Sequence, residues 1–225
     1  MGNMDIQNYD LGSVVIKNPE FETGLLKFPG ADTYVEGTIL ARKEVVDAIT
    51  PAAGGSNVGN GTCTLATVAG SEVPKVGTYQ FIMTAALVGK LVDPDGIIIA
   101  SNIAIADGAA IVLNYGGLQF TITDGSTAFE ADDLFDLPVV ADGDWVIYDA
   151  DGVGGAQVPK GVLIVEEVAT EAADVATRVL IKGTVRADQL VIDAGDTVTD
   201  AIKDKLRDFG IIALDTTDLS LQDNQ

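Results

Sequence analysis

The sequence predicts an α+β, β-rich fold: a small mixed core with one short helix, and a separate all-β, sandwich-like domain. Three observations predict it. Short apolar runs bounded by Gly, Pro, Asn and Asp recur from Thr62 onward. The period then changes once, where Val198, Ala201, Ile202, Lys205, Leu206 and Phe209 fall at helical spacing. Between Thr50 and Gly61 the density of Gly and Pro breaks regular structure and marks a linker or boundary. With 225 residues and 47% hydrophobic content, the chain can bury a core and is long enough for two small domains.

Residues 1–36 hold scattered apolar positions among Asn, Asp, Glu, Gly and Pro, with Val14-Val15-Ile16 as the one short strand-like run before Gly24 to Gly30. Neither run is long enough to bury itself. The segment therefore reads as an N-terminal arm that orders by adding a strand to a partner's sheet edge, with Ile6, Tyr9, Leu11, Val14, Val15 and Ile16 as contact candidates. The alternative is a segment folded onto its own domain. Thr38 to Val46 resumes a strand pattern before the Gly/Pro break.

Beyond the break, strands are expected at Thr62–Val68, Gly77–Ala85, Gly96–Ala100, Ile111–Asn114, Leu118–Thr123 and Leu134–Val140. Leu118, Phe120 and Ile122 alternate with Gln119, Thr121 and Thr123, and Tyr79, Phe81 and Met83 can line another such face. Asp93-Pro94-Asp95-Gly96 and Thr123-Asp124-Gly125-Ser126 suit chain reversal, through proline's fixed φ and glycine's permissive one. Short strands at this spacing suggest a compact sandwich or barrel.

In the last third, Trp145 to Tyr148, Gly161 to Val165 and Arg178 to Val185 read as strands. A one-sided helix from Thr197 ends at Gly210, a residue suited to the C-terminal cap, and Ile211 to Leu214 closes as a strand. These elements make one small mixed core.

Thirteen basic residues against 34 acidic ones give a net charge of -21, which opposes binding to nucleic acid or to an anionic membrane and favours solubility. A strong partner is expected to be another protein surface. Histidine is absent and Cys63 is the lone cysteine, so the usual general base, a Cys/His metal cluster and an internal disulfide are all excluded. Cys63 lies among alternating strand residues and reads as a small buried hydrophobe rather than a reactive thiol. The N-terminus has no basic flank or apolar signal core, and no run approaches a membrane span.

Asp142, Asp144, Asp149 and Asp151 invite a calcium reading, but their spacing does not match a 12-residue EF-hand loop, and two turns flanking a strand explain them more simply. Glu130, Asp132, Asp133 and Asp136 could hold a cation or supply a carboxylate pair for glycoside hydrolysis, a reading that acidity throughout the chain weakens. Gly152, Gly154 and Gly155 precede neither GK[ST] nor a helix and are turn residues. No catalytic, cofactor-binding or metal site is expected. Arg42, Arg178 and Arg186 stand out because cations are scarce; each is suited either to a carboxylate across a subunit interface or to one within its own subunit.

Gly143 to Asp149, Ala156 to Leu163, Gly183 to Leu190, the short helix and Phe209 to Ile212, in this order and spacing, together resemble the lambda-type bacteriophage head decoration proteins. The resemblance reaches back to Gly37 to Arg42, which is similar to the family's first core strand, and it does not cover Gly55 to about Val139. It implies a discontinuous core from residues 37–54 and 140–225, with residues 55–139 inserted as the all-β domain, projecting from the core. A surface loop accepts such an insertion because closure entropy grows only with the logarithm of loop length. It further implies a non-enzymatic cement protein of the virion. Such a protein assembles in the host cytoplasm and binds the major capsid protein lattice at the outer surface of the mature head as a homotrimer. In that family a comparable arm engages the shell. The alternative from another class is a carbohydrate- or host-surface-binding β module attached to a virion.

Overall fold

The computed structural model describes residues 14–192 and 197–215. The chain opens with strands β1 (Val15–Phe28), β2 (Asp32–Tyr34) and β3 (Ile39–Arg42) in one unit. It then enters a second unit for β4 (Ala48–Ile49), β5 (Ala52–Ala53), β6 (Thr62–Val68), β7 (Gly77–Ala85), β8 (Val88–Val92), β9 (Ile98–Ala104), β10 (Ala110–Tyr115), β11 (Leu118–Thr123) and β12 (Leu134–Val139). It returns to the first unit for β13 (Trp145–Ile147), β14 (Pro159–Leu163), β15 (Glu167–Ala169), β16 (Ala173–Arg186), helix α1 (Asp200–Asp208) and β17 (Ile211–Leu214). The fold is thus β-rich α+β with one α-helix among the described residues.

In the first unit, strands pair in the order β1-β13-β3-β14-β16, and β16 also pairs antiparallel with β1, so five strands close on themselves. Closure leaves those strands without a free edge. β17 adds to β16 in parallel. Period-two alternation sorts the side chains into two clusters. Leu26, Leu40, Trp145, Leu163 and Val179 pack together, while their neighbours Ile39, Ala41, Val162 and Leu180 pack with Ile202 and Leu206 of α1 and with Ile211. Both faces of β3 and β14 are therefore dry, which explains their nearly continuous apolar runs.

The helix forms where Thr199 accepts a hydrogen bond from the Ile202 backbone N–H at 3.4 Å. It ends where Gly210, at φ +85°, donates to Arg207 O at 2.9 Å. Of the apolar positions that predict it, Ile202 and Leu206 are buried and Val198 half-buried, whereas Ala201 and Phe209 stay exposed. Burial of a Leu or Ile side chain stabilises by about 1.5–3 kcal/mol, so two such residues anchor a nine-residue helix that would not persist alone.

The N-terminal segment departs from the expected arm. From Val14 on it is part of the unit's own sheet: β1 runs antiparallel to β16 from Val15 opposite Val185 to Phe28 opposite Ala173. A bulge around Asn18 (φ +50°) and Pro19, facing Gly183 (φ +142°), interrupts the register.

The second unit comprises Lys43–Gly143 and Asp151–Gln157. Its four-stranded sheet, in the order β10-β11-β6-β4, and its five-stranded sheet, in the order β5-β12-β7-β8-β9, share one core. Phe81 of β7 meets Phe120 of β11 edge-to-face, with ring centroids 5.5 Å apart, which ties the two sheets together. Tyr79, Phe81, Met83, Leu118, Phe120 and Ile122 are buried, as alternation predicts; Thr121 is buried too, because β11 is flanked on both sides.

The units divide at Arg42/Lys43 rather than at Gly54/Gly55. Ile49 belongs to the second core, β4 pairs with β6, and β5 pairs with β12. Nor is the Gly-rich stretch a linker: Asn57 exchanges side-chain hydrogen bonds with the Leu134 backbone, and the Asn60 side chain reaches Ser126 and the Thr127 N–H. Asp151–Gln157 joins this unit because Gly154 O accepts from Glu44 N at 2.7 Å and the Gln157 side chain donates to Ser71 O at 3.1 Å.

Candidate functional site

The three arginines singled out by the sequence lie on the first unit, on β3 and β16. Arg42 ends β3 and meets Glu22 of β1 at 3.2 Å, with its guanidinium 5.9 Å from the Trp145 ring centre. Arg178 of β16 lies over the Phe21 ring of β1 at 4.0 Å. Arg186 grips Asp188 through two nitrogens, at 2.7 and 3.2 Å, and this pairing raises the pKa of its guanidinium. Each arginine has an acidic or aromatic partner within a few residues or on the adjoining strand. That signal needed strand pairing, since Glu22 and Phe21 lie far from Arg42 and Arg178 in sequence.

Of the contact candidates near the N-terminus, Ile6, Tyr9 and Leu11 lie outside the described residues. Val14 is buried in the unit's own core, with its N–H on Glu36 Oε1 at 2.8 Å and its carbonyl accepting from Arg186 N at 2.9 Å. Val15 and Ile16 are half-buried in β1. A side chain so held is not free to enter a partner's sheet, so residues 14–16 act in the chain's own fold.

The acidic groups have local partners. Asp144 meets Lys27 at 2.7 Å, Asp142 accepts from Gly143 N at 2.8 Å, and Asp136 accepts from the Gln80 side chain at 2.9 Å. Asp133 is the most enclosed. Burial pushes its carboxyl up, but backbone N–H groups of Glu130, Val58 and Gly59 at 2.7–3.0 Å outweigh that and hold it below the usual aspartate value. Asp93 is similarly lowered: Lys75 bonds it at 2.7 Å, and the N–H groups of Asp95 and Ile97 complete its shell. Both carboxylates pin turns. Among the described residues, no three Asp, Glu or Cys side chains converge in a way that could hold a metal ion. Burial raises the Cys63 thiol to about 12, so at neutral pH it is not a nucleophile.

The remaining candidate is a surface for protein contact, and the two units offer different ones. The first unit carries most of the cations, with Lys43, Lys75 and Lys90 the basic residues of the second. Its exposed apolar groups include Phe209, Ile212 and Leu214 at the β17 edge. The second unit exposes Ile97, Ile98 and Ile99 consecutively at the start of β9, which the sequence marks as a strand without revealing that it is an edge.

No helix among the described residues is long and apolar enough to cross a membrane. No family model and no curated protein matches the chain. Among solved structures, FlgL of Xanthomonas campestris in two crystal forms is similar at 20% and 21% identity, each with a TM-score of 0.35. These matches cover 48% and 47% of this chain and 34% and 33% of FlgL. The flagellar hook junction protein FlgK of Burkholderia pseudomallei is similar at 17% identity and a TM-score of 0.34, over 57% of this chain and 21% of that one. The chain thus spans about a third of FlgL and a fifth of FlgK, and likeness at this level assigns neither fold family nor role.

Proposed function

We propose that the protein is a structural capsid decoration protein that binds the outer surface of an assembled phage head as a homotrimer and reinforces it against internal pressure. The observation that carries the reading is the assembly of the first unit. The pieces in which the resemblance resides, Gly37–Arg42, Gly143–Asp149, Ala156–Leu163, Gly183–Leu190 and Phe209–Ile212, come from both sides of a long intervening segment and lie in one unit except for Gly143, Ala156 and Gln157, which belong to the second. In that unit β3 sits between β13 and β14, and β17 lies beside β16.

Such a role asks for no catalytic group. Several weak contacts made together by one trimer give firm attachment through effective concentration. Binding only the assembled lattice stabilises that lattice by mass action. The charge of -21 keeps unattached copies soluble and apart.

The test is to mix the protein with unexpanded and expanded capsids of its own virus, sediment them and count bound copies. Saturable binding in multiples of three per lattice site, with capsids more resistant to heat when decorated, is the expected result. Absence of co-sedimentation with either capsid form, or binding to glycans in the absence of capsids, would reject the reading.

A further inference from the structure

We infer that the β9 edge of the second unit is a self-association surface, on which a second copy of this chain adds its own β9 antiparallel about a two-fold axis near Ile99. This inference does not depend on capsid binding. β9 ends the five-stranded sheet, and no strand pairs with its far side among the described residues. Ile97, just before it, and its leading residues Ile98 and Ile99 are 59%, 54% and 39% exposed, although alternation would normally bury every second one.

Edge strands are ordinarily protected by a lysine, a proline, an inward charge or brevity. The opposite edge of this sheet, β5, is two residues long. β9 has seven residues and no charge or proline. From Gly96 to Thr123 the sequence carries one charged residue, Asp107, in a chain with 34 acidic ones.

Charge selects the occupant. In a contact between identical patches each copy presents the same net charge to the other, so a chain of this acidity pairs with itself most readily where its surface is neutral. A basic partner would instead be recognised by an acidic rim, but the carboxylate that adjoins the start of this stretch, Asp95, is already paired with Lys75 at 2.6 Å. With Ile99 on the axis, Ile98 faces the second copy's Ala100 and Ile97 the second copy's Ser101. The positive φ of Asn102 (+54°) breaks the regular edge just beyond, which limits the pairing to about five residues. So short a contact lies below the roughly 1,200–2,000 Å² of a standard stable interface, and the association is weak.

Sedimentation equilibrium of the full chain across a wide range of concentration tests this, comparing wild type with Ile98→Lys and with Val58→Lys, a control of equal charge change at an exposed site elsewhere on the unit. At high concentration, the wild type and the control are expected to reach twice the mass of Ile98→Lys. Added salt should strengthen the association by screening the net repulsion. Equal masses for all three proteins, equal loss in both variants, or weakening by salt would overturn the inference. Hydrogen exchange on the unmutated protein gives a reading independent of how the variants fold: amides between Ile98 and Ser101 that face the open side of β9 should gain protection as concentration rises, whereas that of Ile97, held by Asp93, should not change; unchanged protection throughout counts against the pairing.

Discussion

Gly24 of β1 lies against the indole edge of Trp145: a Cβ added at residue 24 would stand 2.5 Å from Cδ1 and 2.7 Å from Nε1. Gly161 of β14 approaches the same indole from another strand, where a Cβ would stand 2.9 Å from Cζ3. The largest side chain of the closed sheet thus fits because two of the strands near it carry no side chain at the point of contact. Gly24→Ala should destabilise the first unit by about 1–3 kcal/mol through overpacking. Urea unfolding followed by fluorescence checks this, since Trp145 is the sole tryptophan. An unshifted midpoint would show that the indole has room to move.

Asp133 couples the 54–60 loop to the start of β12. Asp133→Ala leaves three N–H groups without their carboxylate and should cost the second unit about 2–4 kcal/mol. The sign of the pH effect follows from the lowered folded-state pKa. The contribution is complete above the ordinary aspartate value of about 3.9 and is lost as pH falls through the lower folded value. Urea titrations between neutral pH and about 3 should therefore show a steeper acid loss in wild type than in Asp133→Asn. Parallel curves would remove Asp133 from the account.

Leu206, on the inner face of α1, is fully buried. Leu206→Ala should cost about 2–5 kcal/mol by leaving a cavity. Fluorescence-detected unfolding should record that loss. A cost well under this range would mean that the helix contributes little to the unit.

Cys63, half-buried on β6 and with its thiol raised to about 12, should react slowly with an aromatic disulfide reagent at pH 8 while the second unit is folded. Labelling should accelerate across the urea range in which that unit opens. Fast labelling in native buffer would contradict the protected environment.

Because Val14 belongs to the core, the arm contribution to capsid binding has to be tested with a deletion that stops at residue 13. Removal of residues 1–13 is expected to abolish co-sedimentation with capsids while leaving the fluorescence of Trp145 native. Undiminished binding would rule out a docking role for Ile6, Tyr9 and Leu11.

Elements whose burial is one-sided and whose pattern is local were legible in the sequence. β6, β7, β11 and β17 have the boundaries their apolar runs indicate, and α1 follows from its spacing and cap. β1 was not legible: between Lys17 and Glu20 it carries Asn18 in the left-handed region and Pro19 without a donor, and its partner β16 is distant in sequence. β8 was hidden by Gly89 and Lys90, yet that glycine is what lets the Phe81 ring lie against the strand. The Gly-rich stretch read as a linker because Asn57, Asn60 and Asp133 fasten it through side chains, which periodicity does not register. The partners of Arg42 and Arg178, and the exposure of Ile97 to Ile99, depend on which strands adjoin, and that information is not local.

The closure of β1 onto β16 also sets an order of events during synthesis. The first strand leaves the ribosome with its mate still unmade, and waits until residues 173–186 emerge. Every strand of the second unit lies within that interval, so those nine can collapse while the opening strand still lacks its long antiparallel partner and has at most the short pairing of Leu26 with Trp145. Nascent chains arrested soon after residue 157 has cleared the exit tunnel should already resist protease over 43–143 and be cut within 15–28; resistance of both regions at that length would refute the sequence of steps.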